Sequence, residues 1–164
     1  MKVILISCIA KNGVIGKNGK LAWKVQSEIL HFISTVSNGA ILCGHNTTLN
    51  LPKSVLKLEP FGIINDRTLI KNHIAQMEEY LIKRNEICDR LGKGVKRDAI
   101  YIIGGAKTYY SALLENVVDE MILSYLPDEY DGDCYFPLVN WTMWKLQSET
   151  DMCEFVVKRY IKCN

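Results

Sequence analysis

The chain reads as an α/β protein: a central, mostly parallel sheet with an antiparallel C-terminal strand and flanking helices. Three observations predict this class. Short continuous apolar runs recur at residues 3–6, 40–44 and 99–103, as expected of strands buried on both faces. Stretches with helical spacing of apolar residues lie between them. Glycines punctuate the junctions, at Gly44 and at Gly104-Gly105.

Taken in order, Val3, Ile4, Leu5 and Ile6 begin the first strand, and Lys11-Asn12-Gly13 break it. Residues 14–20 form a Gly-rich loop. Residues 27–37 are helical, with Ser27 as N-cap and Glu28 in the first turn, where the helix dipole favours a negative charge. Ile29, Phe32, Ile33 and Val36 recur on one apolar face. Asn38-Gly39 ends that helix. Residues 40–44 are the second strand, a short helix follows from Thr47, and residues 62–65 are the third strand. A helix over residues 72–91 turns Ile74, Met77, Leu81 and Ile82 inward. Residues 99–103 are the fourth strand, 106–114 a helix and 120–125 the fifth strand. The remaining chain is an antiparallel finish that includes residues 155–157.

Length and composition bound the function. The 164 residues suit one domain, residues 1–164, with a substantial core. Hydrophobic residues are 48% and charged residues 23%, which excludes overall disorder. A net charge of +2 is too small for a protein that mainly neutralises phosphates along a nucleic acid. No window is apolar enough to span a membrane, and the apolar start runs into Lys11 without signal-peptide architecture. Cysteines 8, 43, 88, 134, 153 and 163 include no C-x-x-C pair, and the three histidines are scattered. Metal-ligand spacing is therefore absent, and reduced thiols in a cytoplasmic protein are expected.

Chemistry belongs beyond the carboxyl ends of the strands. Gly44-His45-Asn46-Thr47 and Gly104-Gly105-Ala106 each join a strand to a helix, where glycines admit a ligand and free N–H groups face a phosphate. Two such junctions suit a ligand with two or more phosphates, although each also reads as a plain helix start. The ordinary dinucleotide fingerprint is missing, since Ala106-Lys107-Thr108-Tyr109 follows the paired glycines. Glu28 borders the apolar helix face. A partly desolvated carboxylate there holds its proton toward neutral pH; a solvated first-turn Glu is the plainer alternative. Cys8 and Cys43 close the first two strands and read as buried, inert thiols.

The order of motifs resembles the dihydrofolate reductase family. Val14-Ile15-Gly16 is followed by Trp23, Glu28 and Phe32, then by I-L-C-G-x-x-T from Ile41, I-I-G-G-A-x-x-Y-Y from Ile102 and D-G-D-x-x-F-P from Asp131. The resemblance covers nearly the whole chain. It implies a dihydrofolate-reductase-like fold, a monomer, and hydride transfer from NADPH to the pterin of dihydrofolate, giving tetrahydrofolate for one-carbon metabolism. Glu28 would assist protonation of the ring nitrogen, with Ser124 bonding this acid and Trp23 helping to hold a water. Ile6, Cys8, Ile29, Phe32 and Ile103 would line the substrate pocket. Cofactor contacts would come from Cys8, Ile15, Gly16 and Asn18, from Gly44, His45, Asn46 and Thr47, from Asp66 and Arg67, and from Ile103, Gly104, Gly105, Ala106, Lys107, Thr108 and Tyr109. No metal, nucleic acid or membrane partner is implied.

Four departures from the family pattern stand out. Ala22 replaces the usual Pro before the loop Trp. His45 replaces an Arg, and Asp66 stands where a small hydroxyl residue is usual. Residues 56–62 lack the Arg that grips the folate glutamate, leaving Lys53 and Lys57 as nearby cations. The missing Arg favours one alternative, a same-fold reductase of another heterocycle such as a riboflavin-pathway pyrimidine. A non-catalytic nucleotide-binding relative is the other, and the presence of Glu28 and Ser124 weighs against it.

Overall fold

A computed structural model describes residues 1–65 and 67–163. Alternation within the strands explains how the layers form. In β1 (Lys2–Ile9), Val3 and Leu5 join one core, while Ile4 and Ile6 join another on the opposite face. The same alternation runs through β3 (Ala40–Gly44), β5 (Ala99–Ile102) and β6 (Glu120–Tyr125). Helix α1 (Gln26–Val36) and the short α3 (Lys53–Leu56) cover one face through Phe32, Ile33, Val36 and Val55. Helices α4 (Ile70–Leu91) and α5 (Ala106–Leu114) cover the other through Ile74, Met77, Leu81, Tyr109 and Ala112.

With β4 (Phe61–Ile64), β8 (Trp144–Asp151) and β9 (Val156–Lys162), the sheet has seven strands in the order β4-β3-β5-β1-β6-β9-β8. The first five are mutually parallel, and β9 and β8 add antiparallel at one edge. The antiparallel finish is thus a hairpin rather than one strand. Among the described residues, no helix is long and apolar enough to cross a membrane.

Several local expectations are corrected. Helix α1 starts at Gln26, and Ser27 is not its cap. Val25 occupies the cap position without a side-chain bond, and the Ser27 hydroxyl instead donates to Glu154 of the β8–β9 turn. The short helix after the second strand, α2 (His45–Thr48), begins two residues before Thr47. The stretch 14–20 is only partly a loop: β2 (Val14–Gly16) pairs antiparallel with β7 (Cys134–Tyr135). Ile82 points outward, 53% exposed, because Leu81 and Met77 already fill the inward stripe of α4.

Helix α4 starts at Ile70 rather than 72, for a tertiary reason. The Glu115 carboxylate, just past α5, accepts the N–H groups of Ile70 at 2.9 Å and Lys71 at 3.0 Å. A negative charge at a helix N-terminus also meets the positive end of the helix dipole. Glu115→Ala is expected to cost about 1 kcal/mol, by analogy with lost helix caps, and a denaturant melt will read this as a lower midpoint with an unchanged slope.

Candidate active site

The site begins where the parallel strands end. Residue Cys8 of β1 lies in register with Ser124 of β6. Ile4, Ile6 and Ile122 of these strands face α1, and period two sends Cys8 and Ser124 to that same face. Glu28, in the first turn of α1, meets them there. It is only 5% exposed, and Ser124 only 1%. Burial drives the Glu28 carboxyl above the usual carboxylate range, while hydrogen bonds from Ser124 and Cys8 pull it partway back. The acid is thus the most deeply placed polar group of its helix, on the apolar face rather than beside it. Ile29 and Phe32 remain half-buried, so this face of α1 is left open where a ligand would lie.

The Cys8 thiol is held protonated by burial and by the neighbouring Glu28 charge. Burial likewise pushes the Cys43 thiol up to about 12. Both are free and poorly reactive, as their positions at strand ends suggested. Trp23 is buried against Val14, Leu126 and Phe155, with its ring 5.4 Å from that of Tyr130. Its indole nitrogen is buried and has no protein acceptor, so this donor is open to a ligand-side partner.

A second cluster lies across β3 and β5. Gly44 N–H donates to Gly104 O at 2.8 Å, and Ile103 N–H to Leu42 O at 3.0 Å. These bonds draw the two strand ends together. Tyr109 of α5 reaches back to donate to Ile6 O at 2.7 Å, and burial pushes its hydroxyl well above the ordinary phenol range. The helix starts here are bare: Gly44 and Gly105 provide no side-chain cap to α2 and α5. In α5, the N–H groups of Ala106, Lys107 and Thr108 therefore have no intrahelical acceptor.

The cradle is also narrow. A Cβ on Gly44 would sit 2.8 Å from Thr108 Oγ1, and one on Gly105 would sit 3.3 Å from Thr47 Oγ1. Bare backbone, two hydroxyls and a free helix start fit the phosphates of a dinucleotide. His45, Asn46, Lys107 and Arg67 are exposed at its rim. Arg67 N–H is engaged by Asn65 Oδ1 at 3.1 Å. The expectation for Asp66 falls outside the described residues.

The covering segment is more tightly held than its glycines suggest. Ile15 packs against the main core, and Gly16 lies within the β2–β7 ribbon. Asn18 N–H is committed to the Asp133 carboxylate at 3.1 Å, and Lys17 pairs with Asp131. These two acids were missed as site elements. Their signal was present in the D-G-D motif, but the partner strand lies more than a hundred residues away.

Strand ends and a free helix start that fit phosphates, with a buried, proton-holding acid at the same end of the sheet, are what a nicotinamide-dependent oxidoreductase requires. A dihydrofolate reductase family model matches residues 2–156. The chain is 34% identical over 160 residues to dihydrofolate reductase of Ureaplasma parvum serovar 3, covering 95% of this chain and 94% of that protein. It is 28% identical over 165 residues to dihydrofolate reductase of Mycoplasma genitalium, covering 98% of both. Dihydrofolate reductase from Enterococcus faecalis, solved with NADP(H) and RAB-propyl, shares the fold with a TM-score of 0.71 at 16% identity, over 99% of this chain and 97% of that one. The chain belongs to the dihydrofolate reductase family, as a divergent member. The pyrimidine-reductase and non-catalytic alternatives are not favoured.

Proposed function

We propose that this protein reduces dihydrofolate to tetrahydrofolate with NADPH, and that Glu28 manages the proton. Family membership supports the reaction; the burial of Glu28 beside Ser124 is the observation that carries the residue assignment. NADPH, when bound, supplies the hydride, and the protein positions and protonates. Glu28 orients the pterin by accepting its ring N–H groups and holds a proton at a pH where an ordinary carboxylate would have lost it. Ser124 fixes the carboxyl by donating its hydroxyl. Trp23 offers its indole N–H to a polar atom on the substrate side. Ile6, Cys8, Ile29, Phe32 and Ile103 form the apolar walls, and Tyr109 seals the floor through Ile6.

Cofactor phosphates rest on Thr47, Thr108 and the N–H groups of Ala106, Lys107 and Thr108, between Gly44 and the Gly104-Gly105 pair. Ile15, Gly16 and Asn18 cover the nicotinamide. His45, Asn46 and Arg67 face the adenosine side. The first Arg in the chain is Arg67, so exposed Lys53 and Lys57 serve the glutamate tail without a two-pronged grip. Residues 1–164 act as one domain, as a cytoplasmic monomer without a nucleic-acid partner.

Loss of reduced-nicotinamide absorbance tests the function. Dihydrofolate with NADPH is expected to give steady turnover. Cofactor binding without oxidation would reject the assignment.

A further inference from the structure

Helix α1 starts without a local anchor, since Val25 caps it with no side-chain bond. What grips the start is remote in sequence: the turn between β8 and β9. That turn is closed by its own bonds. Cys153 N–H donates to Asp151 Oδ1 at 2.8 Å. Met152 N–H donates to Phe155 O at 2.9 Å, and Glu154 N–H to Met152 O at 3.0 Å. Cys153, at φ +71°, carries the chain through the left-handed region.

Two consecutive residues of this turn meet the segment that bears the acid. Glu154 accepts from the Ser27 hydroxyl, 127 residues away. Phe155 is 2% exposed and packs in one cluster with Trp23. Its ring also lies 5.7 Å from that of His31. The contacts thus fall before, beside and after Glu28. Ser27 and His31 are four residues apart and share one face of the helix. Glu28 lies about 100° further round. The turn therefore grips α1 next to the acid without touching its carboxyl.

We propose that Glu154 is a positioning residue for the reaction: its bond to Ser27, with Phe155 seated against Trp23 and His31, fixes the rotation of α1 about its axis and so the direction in which the Glu28 carboxyl points. This rests on the reading of Glu28 as the proton-handling group.

Small rotations matter because side chains stand off the helix axis. A carboxyl roughly 5–6 Å from the axis moves about 1 Å when the helix turns by about 10°. A misplacement of about 1 Å can cost about 10²-fold in rate. Apolar packing resists such a rotation weakly, because it has no preferred direction. A hydrogen bond to a carboxylate is directional and stronger than one between neutral groups. Phe155 therefore holds the helix in place, and Glu154 sets its angle.

The test compares wild type with Ser27→Ala, Glu154→Ala, the double variant, Glu154→Gln and Glu28→Gln. Values of kcat and KM for dihydrofolate are measured with NADPH, and NADPH binding is titrated separately. Ser27→Ala and Glu154→Ala are each expected to lower kcat about tenfold, with the NADPH dissociation constant within twofold of wild type. The double variant should lose no more than the larger single loss, because both changes remove one link. Glu154→Gln keeps an acceptor for the hydroxyl and should recover most of kcat. Unchanged kcat in both alanine variants overturns the proposal. So do losses that multiply in the double variant, an NADPH affinity that falls in step with kcat, or a Glu154→Gln as impaired as Glu154→Ala. Should Glu154→Ala fail to fold, full turnover in Ser27→Ala overturns it equally. Failure of the underlying reading looks different: Glu28→Gln would then retain its turnover, whatever position 154 does.

Discussion

Glu28→Gln is expected to lower kcat at neutral pH by about 10²–10⁴-fold, the usual worth of a positioned acid or base, while NADPH still binds. The amide keeps the shape and one acceptor for Ser124 and Cys8, but it cannot hold or release a proton. Cofactor titration and steady-state rates on the same preparation separate the two effects. Full turnover at saturating dihydrofolate would remove Glu28 from the mechanism.

The same substitution should raise stability, and the sign follows from linkage. Burial raises the folded-state value of Glu28 above its ordinary 4.5. The unfolded chain therefore loses this proton first as pH rises. Glu28 contributes its full stability below the ordinary value and loses it as pH climbs to the raised folded value. Glutamine has no proton to lose. The Tm advantage of Glu28→Gln over wild type should therefore grow across that window and then level off. Greater activity and greater stability are thus opposed at this one position.

Gly104→Ala should produce the second large effect, at the cofactor cradle. Gly104 has φ +123°, which side-chain-bearing residues rarely adopt. A Cβ there would also lie 3.2 Å from Tyr109 Oη and 3.5 Å from Thr47 Oγ1. Backbone strain of this kind costs about 1–3 kcal/mol. Relief requires moving Tyr109, and so breaking its bond to Ile6 O, or shifting the start of α5. Either change misplaces the phosphate-facing N–H groups. NADPH is expected to bind at least about tenfold more weakly, equivalent to about 1.4 kcal/mol, with a correspondingly smaller thermal shift on adding cofactor. A dissociation constant within twofold of wild type would show that this turn does not hold the cofactor.

Much of the fold was legible where local pattern and packing agree. Residues 106–114 and 120–125 fold within the bounds their periodicity suggests. Glu28 was legible as an acid near an apolar stripe, and the two glycine junctions as candidate phosphate turns. Other features were not legible, because their partners are remote in sequence. Ser27 reads as a cap by residue type, yet Glu154 competes for its hydroxyl. Helix α4 begins where Glu115 receives it, 45 residues downstream. The β2–β7 ribbon forms only because residues 134–135 return to pair with residues 14–16. Ile82 falls outside the stripe once Leu81 and Met77 have filled it.

Residue order alone decided the alternation of strands and helices, the two glycine turns and the presence of one well-placed acid. These are local: apolar spacing and backbone freedom act within a few residues. Only the folded chain decided what surrounds that acid. Cys8 and Ser124 reach Glu28 because strands more than a hundred residues apart pair in one register. A one-residue slip would turn both side chains to the opposite face, leaving a buried carboxyl with neither donor.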